Sequence, residues 1–329
     1  MKFGKKACPF CFFLFLELFW EVLCLFRYMV KRLFISFVTI WVLATLVFFL
    51  IRILPGDPFS GDKITPQIQQ TMMKYYGLDK PLPVQYVKYM KNLLQGEMGY
   101  SLRYKNRTVN QVISDAFPKS AELGVRALFL AIPIGIFLGI FSALNHNKMW
   151  DYICMIIAVI GVSVPSFIVG GLLQYTFAVK FRIFPVAEWK GFAYTILPSL
   201  ALSLGTLALV ARLMRASMLE ITGQDYIMTA EAKGLPTIKI IWKHLIRNAI
   251  LPVITVLGPI VAALVTGTFV IEQIFAIPGL GRHYVMGIQN LDYTLVLGLT
   301  IFFGAFVVLM NFLVDIIYGF IDPRIRVAK

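Results

Sequence analysis

The chain has 329 residues, a net charge of +14 and only 15% charged residues. With Gly counted among the apolar residues and Tyr left out, its apolar share is about 62%, against roughly 45–50% for an ordinary soluble domain. That excess excludes a water-soluble enzyme, and the abundance of Phe excludes a disordered chain. The surplus of Lys and Arg reads as the cationic ends of membrane spans rather than a nucleic-acid footprint, because no basic run is interleaved with aromatics in a soluble module.

In chain order, residues 1–28 come first. Lys2, Lys5 and Lys6 followed by Phe12 to Phe15 imitate a signal peptide, but no small-x-small cleavage site follows. Cys8-Pro9-Phe10-Cys11 has redox spacing without the strand–helix unit such a motif needs, and reads as two membrane-proximal thiols. Met29-Val30-Lys31-Arg32 then begins a second basic-then-apolar pattern. Residues 1–28 are therefore expected to be an N-terminal extension outside the functional fold.

Six apolar runs, near or above the ~20 residues that a bilayer demands, cover about 30–53, 121–144, 152–179, 194–218, 249–271 and 294–320. The expected fold class is all-α, a polytopic membrane protein with six transmembrane helices. Lys31 and Arg32, Lys148, the group from Arg212 to Arg247, and Arg324, Arg326 and Lys329 fall on one side when the runs alternate. By the positive-inside rule both termini are cytoplasmic. Residues 29–118 then comprise the first span and an extracytoplasmic subdomain, with 54–118 outside. Pro55-Gly56-Asp57-Pro58 ends the first span, Thr65-Pro66 opens a helix, and 84–95 reads as an amphipathic helix through Val84, Val87, Met90 and Leu94. Residues 119–329 form the remaining membrane core.

Several residues inside the runs carry a local signal. Glu122 and Arg126 sit four apart, as an intrahelical ion pair or a gate. Gly135-x-x-x-Gly139 permits close helix approach. Pro165 and Gly170-Gly171 interrupt the third run and are placed to kink it. Gly267, Glu272, Pro278, Gly279 and Gly281 bracket a short outer excursion, either a structural turn or a gate that meets an outer protein. Asp315 lies within the last run, where an acid faces the protein interior and needs a partner; Arg212 and Arg215 are the expected ones, and a proton-relay role is the alternative.

The stretch 220–248 is the most informative. Asp225 to Lys233 reads as a helix, Gly234 follows its end at a position that favours left-handed backbone, and Thr237 is placed to cap a second helix. At 100° per residue, Ile238, Ile241, Trp242, Leu245 and Ala249 share one face, with Lys239, Lys243 and Arg247 in a stripe beside it. The pattern alone leaves two readings: a helix whose cations meet anionic lipid, or a helix–Gly–helix elbow offered to a partner.

Asp225-Tyr226-Ile227-Met228-Thr229-Ala230-Glu231-Ala232-Lys233-Gly234-Leu235, with Arg247-Asn248-Ala249-Ile250-Leu251-Pro252, resembles the EAA loop of binding-protein-dependent ABC importer permeases. More narrowly it is similar to B-type subunits of the oligopeptide/dipeptide subfamily. Leu54-Pro55-Gly56-Asp57-Pro58, Ile271-Glu272 through Phe275, Pro278-Gly279-Leu280-Gly281, Val314 to Tyr318 and Asp322-Pro323-Arg324 resemble further family motifs, over about 29–329. Met228 stands where the general pattern has Glu.

The resemblance implies the type I ABC importer (MetI-like) fold in a bacterial inner membrane. It implies a coupling loop at 220–248 that docks on an ATPase through Ala230, Ala232, Gly234, Leu235, Leu251 and Pro252. It implies as partners a second homologous permease, two ATPase subunits and an extracytoplasmic peptide-binding protein. It implies an oligopeptide or dipeptide as substrate; nickel or another small solute is the alternative within the family, and a secondary transporter the alternative outside it. No G-x-x-x-x-G-K-[ST], metal-ligand spacing or nucleophile–base pair occurs in the sequence. The chain is thus expected to be no enzyme and to bind no cofactor, with ATP and Mg held by partner subunits.

Overall fold

The computed structural model describes residues 9–53, 80–104 and 107–321. The turn at 55–58, the helix expected from Thr65, the first eight residues and the C-terminal cations lie outside the described residues.

Helix α1 runs without a break from Pro9 to Ile53, with Met29–Leu50 long and apolar enough to cross a membrane. Helix α2 (Leu82–Leu94) begins after Pro81, with Pro83 tolerated in its first turn. The sequence places Val84, Val87 and Leu94 on its packed face, but these residues point outward. The inward side carries Tyr86 and Tyr89, whose rings stand 5.3 Å from that of Phe48 on α1, and the Tyr86 hydroxyl lies 2.8 Å from Thr45 Oγ1. Large rings bury more apolar area than valines, and the Tyr86 hydroxyl keeps a polar partner in Thr45, which favours this face for the contact.

Helix α3 (Val109–Leu144) starts twelve residues earlier than the hydropathy run. Thr108 and Gln111 form a reciprocal capping box, so three polar turns become continuous with the span. Helix α4 (Met149–Ser163) follows a tight turn. Helix α5 (Ser166–Leu173) continues as π-helical turns over Gln174–Lys180. The axis bends by 99° between α4 and α5. Pro165 causes the bend, since its ring and missing N–H break the ladder. The two glycines do not kink the chain: Gly170 instead lets Ile271 and Phe275 close in, while Gly171 faces open space.

Helix α6 (Ala193–Thr222) is the central shaft. Its contact with α3 is the most extensive among the described residues, and the two run in the same direction. Gly135 and Gly139 make it close: a Cβ at Gly135 would stand 2.8 Å from the Leu207 carbonyl, and one at Gly139 2.7 Å from that of Ala211. In a bilayer, such small-residue contact substitutes for the hydrophobic drive available in water. Beyond α6 come α7 (Asp225–Ala232), α8 (Thr237–Ile240), a π-helical turn (Ile241–Ile246) and α9 (Arg247–Val265). Short helices α10 (Phe269–Ile274) and α11 (Leu280–Gln289) precede the last span, α12 (Tyr293–Ile321).

By length and composition the described residues contain five candidate spans, or six when the bent α4–α5 pair counts as one. The chain is a multi-pass, all-α membrane protein. The loop 223–236 lies at one end of the bundle, and α2, residues 96–104, α10 and α11 lie towards the other.

Candidate functional site: the elbow and the opposite-end anchor

The elbow is built from its end signals. Gln224, not Asp225, is the N-cap of α7, and Asp225 is its first residue, where its charge favours the helix N-terminus. At the C-terminus, Gly234 N–H donates to the Glu231 carbonyl (2.8 Å) and Leu235 N–H to that of Ala230 (3.3 Å). These two bonds form a Schellman motif, which needs left-handed backbone at the residue after the cap. Gly234 has φ +73°, and the space around its missing Cβ is open. Thr237 does not cap α8. Pro236 occupies the N-cap and Thr237 opens the helix.

Beneath the elbow, Ile227 and Ala230 are buried with Ile240, Leu245, Met214 and Met218, and Leu235 packs against them. Ala230 thus faces the chain's own core, whereas Ala232 and Gly234 are exposed. Leu251 and Pro252 lie on α9, apart from the elbow's surface, half-buried and exposed respectively.

The regular wheel fails between Ile238 and Ala249. Ile238 is 63% and Trp242 66% exposed, while Ile240 is buried. The π turn is the reason. The buried residues are Ile240, Leu245, Ala249 and Val253, spaced five, four and four apart, so one wide turn rotates the face by a residue. Lys239, Lys243 and Arg247 are exposed. Exposed apolar and cationic residues therefore alternate along this segment.

At the opposite end, Glu272 is wholly buried. Its Oε1 accepts from Ser120 Oγ (2.8 Å) and Thr268 N–H (3.1 Å), and its Oε2 from Arg282 N–H (3.0 Å). Ser120 Oγ in turn accepts from Leu280 N–H (2.8 Å). Gly279 and Gly281 are buried against this carboxylate, where a Cβ on Gly279 would come within 2.5 Å of Oε2. Glu272, Gly279 and Gly281 therefore cannot touch a partner, and only Pro278 in that group is partly exposed. They anchor the α10–α11 loop onto α3. Glu122 and Arg126 do pair, and Arg126 also donates to Thr195 Oγ1 (2.8 Å) and lies 4.8 Å above the Phe192 ring.

A second anchor had no sequence reading. Asp292 is the buried N-cap of α12, accepting from Leu295 N–H (3.1 Å), Leu102 N–H (3.1 Å) and Ser101 Oγ. Its place three residues before Leu295 is an N-cap signal. Nearby, Tyr104 Oη lies 3.3 Å from His283 Nδ1. Burial holds the His283 imidazole below its ordinary pKa, with Arg282, Arg107 and Lys119 acting in the same direction, and burial raises the Tyr104 phenol.

The intramembrane pair is corrected. Asp315 meets Arg32 of α1 at 2.8 Å, while Arg215 binds Asp151 of α4 and Arg212 is exposed. Helix α1 packs directly on α12, which brings Arg32 to Asp315, whereas Arg215 points towards the α3–α4 turn.

Between the two ends, a cavity of about 480 Å³ lies at the α4–α5 break, walled by α6 and the α9–α10 turn. Gly161, Pro165, Ser166, Thr206 and Thr268 are among its lining residues. The Thr268 hydroxyl is buried without a hydrogen-bond partner among the described residues.

The sequence matches the family described as "Binding-protein-dependent transport system inner membrane component" over residues 135–327, and that family's N-terminal component over 25–124. It is 45% identical over 304 residues to the dipeptide transport system permease protein DppB of Bacillus subtilis, covering 92% of this chain and 99% of that protein. It is 42% and 41% identical over 303 residues to the oligopeptide transport system permease proteins OppB of Haemophilus influenzae and Salmonella typhimurium, each covering 91% of this chain and 99% of the relative.

Proposed function

This chain belongs to the binding-protein-dependent transport-system inner membrane components, and from that premise we propose that it is the permease subunit of an ATP-driven peptide importer. The elbow carries the coupling half of this reading. A Schellman-closed reversal, fastened by Ile227, Ala230 and Leu235 to α6 and exposing Ala232 and Gly234, suits an element that receives a push from outside. A self-powered carrier has no need of it. The named relatives, dipeptide and oligopeptide permeases, support the peptide half.

In this reading the chain hydrolyses no ATP. Two ATPase subunits bind ATP and Mg, a second permease completes the pathway, and an extracytoplasmic protein delivers the peptide. The site lies in the inner (cytoplasmic) membrane with both termini cytoplasmic. The cavity at the α4–α5 break, with an apolar wall and the hydroxyl residues Ser166 and Thr206 in its lining, suits a peptide held by its backbone irrespective of side chains. Co-purification with ATPases and uptake of peptides of graded length test the assignment. A complex that takes up no peptide, or a chain that purifies without ATPases, contradicts it.

Topology follows from the same reading. A single cysteine in place of Lys91 on α2 is expected to react with an impermeant thiol reagent in intact cells, and labelling only after permeabilisation overturns the orientation. Residues 1–28 are taken as an extension. A chain initiated at Met29 is expected to insert and to support uptake, and loss of assembly would sink that view.

A further inference from the structure

Helix α4 meets α6 along a smooth line. Its buried residues are Asp151, Cys154 and Ala158, and Gly161 lies 3.1 Å, by its absent Cβ, from the Leu204 carbonyl. The opposite side of α4 is apolar and exposed. Small residues pack closely but interlock little, so they do not by themselves fix how far one helix is slid along the other.

One polar contact does. The Asp151 side chain is 3% exposed. Arg215 of α6 donates through Nε to Oδ1 (2.7 Å) and through Nη2 to Oδ2 (2.7 Å), the planar bidentate pairing that a lysine cannot reproduce. Ser142 Oγ of α3 and Asn147 N–H (3.0 Å) of the turn take the remaining acceptor positions. His146 Nδ1 stands 3.3 Å from Oδ2 at the solvent side. Asn147 holds a positive φ of 60° in that turn. Among the described residues this is the only hydrogen-bonded link between α4 and α6.

Its position matters for two reasons. Arg215 lies two helical turns before α6 ends at Thr222, and its neighbours Met214 and Met218 pack against Ile227 and Ala230 of the elbow. At its other end α4 leads straight to the Val164–Pro165 break that walls the cavity. A buried ion pair gains little stability over apolar residues of the same size, because desolvation offsets the attraction; its attested use is to select one register.

We propose that Asp151 and Arg215 are positioning residues: they lock α4 to the α6 shaft, so that displacement of the elbow reaches the α4–α5 break as a rigid-body movement. The inference rests on the elbow being the element that receives the ATPase stroke. The neighbours act within the same joint, with Ser142 bringing in α3, so that three helices move together.

The test uses the assembled importer. Asp151→Leu combined with Arg215→Met removes the pair while leaving no buried charge unpaired. Spin labels on cysteines replacing Ile156 of α4 and Glu220 at the end of α6, with the native cysteines substituted, report the distance between the two helices. In the parent the distance is expected to be narrow and the same with and without ATP. In the double variant it is expected to broaden or to change with ATP, while ATPase co-purification stays near parental; the melting temperature falls, because Ser142 Oγ and Asn147 N–H lose their acceptor. Peptide moved per ATP hydrolysed is expected to fall at least about fivefold, the low end of coupling between distant sites. Arg215→Lys, which keeps the charge and loses the fork, is expected to fall between the two and covers the case in which the double variant does not fold. A double variant, or failing that the Lys variant, with a narrow ATP-independent distance and parental transport per ATP overturns the proposal, as does a broad distance in the parent. A parent that keeps the narrow distance yet moves no peptide refutes the transport reading and leaves the joint standing.

Discussion

Replacing Gly234 with Val is expected to leave membrane insertion normal while removing the ATPases from the purified complex and abolishing peptide uptake. Insertion depends on the apolar spans, which this change does not touch. The elbow depends on a residue at φ +73° that closes the Schellman bonds to Glu231 and Ala230. A β-branched residue is a genuine outlier there, with strain on the order of 1–3 kcal/mol. Among the described residues, nothing beyond its two chain neighbours lies within 4 Å of the missing Cβ, so the cost inside the chain comes from backbone strain and not from a clash. In the proposed coupling role that open space is the approach side for the ATPase, where three added carbons would obstruct close contact. Gly234→Ala is the graded control. It bears the left-handed penalty of about 1–2 kcal/mol, enough for a roughly five- to thirtyfold weakening of association. Lys239→Gln with Lys243→Gln is expected to have a smaller effect when those cations mainly face lipid. Co-purification of ATPases across these variants decides the matter: if Gly234→Val keeps its ATPases and transports at the parental rate, the elbow is not the coupling element.

Glu272→Ala is expected to lower the thermal stability of the purified protein by about 3 kcal/mol, because it strands the buried Ser120 hydroxyl at a cost of about 1–3 kcal/mol and also leaves the half-buried amides of Thr268 and Arg282 without their acceptor. The loop carrying α10 and α11 loses its tie to α3 at the same stroke, so uptake falls with stability. Glu272→Gln keeps one acceptor and should be intermediate. Gly279→Ala should reproduce the defect with Glu272 itself unchanged, since its methyl would displace Ser120 Oγ and Glu272 Oε2 from the space they now hold. Thermal melting in detergent of the three variants checks this. A Glu272→Ala protein that melts with the parent would mean that the carboxylate holds nothing, and the outer loop would need another anchor.

Much of this protein was legible along the chain because the information is local. Run lengths near a bilayer's width marked the spans. Pro165 marked the sharp bend, since its ring breaks the helix wherever it sits. Gly234 marked the reversal, because only a residue without a Cβ takes left-handed backbone at little cost. Gly135 and Gly139 marked a helix contact, though not that α6 would fill it.

Which distant groups meet was decided by the tertiary structure. Asp315 announced that it needed a partner, but Arg32 rather than Arg215 supplies it, because α1 and not α6 packs beside α12 at that level. Arg215 was free to take Asp151, an acid that the hydropathy run left just outside its edge. Glu272 read equally as part of a structural turn or as a gate and is a buried anchor of that turn, because Ser120, 152 positions earlier, and the backbone of the following loop close over it. The outward turn of Ile238 and Trp242 needed the π turn, which a fixed 100° step cannot contain. Hydropathy and backbone preference act over a turn or a span, whereas ion pairs and buried carboxylates are satisfied by whichever helices lie adjacent, and that adjacency is set by small residues packing in three dimensions.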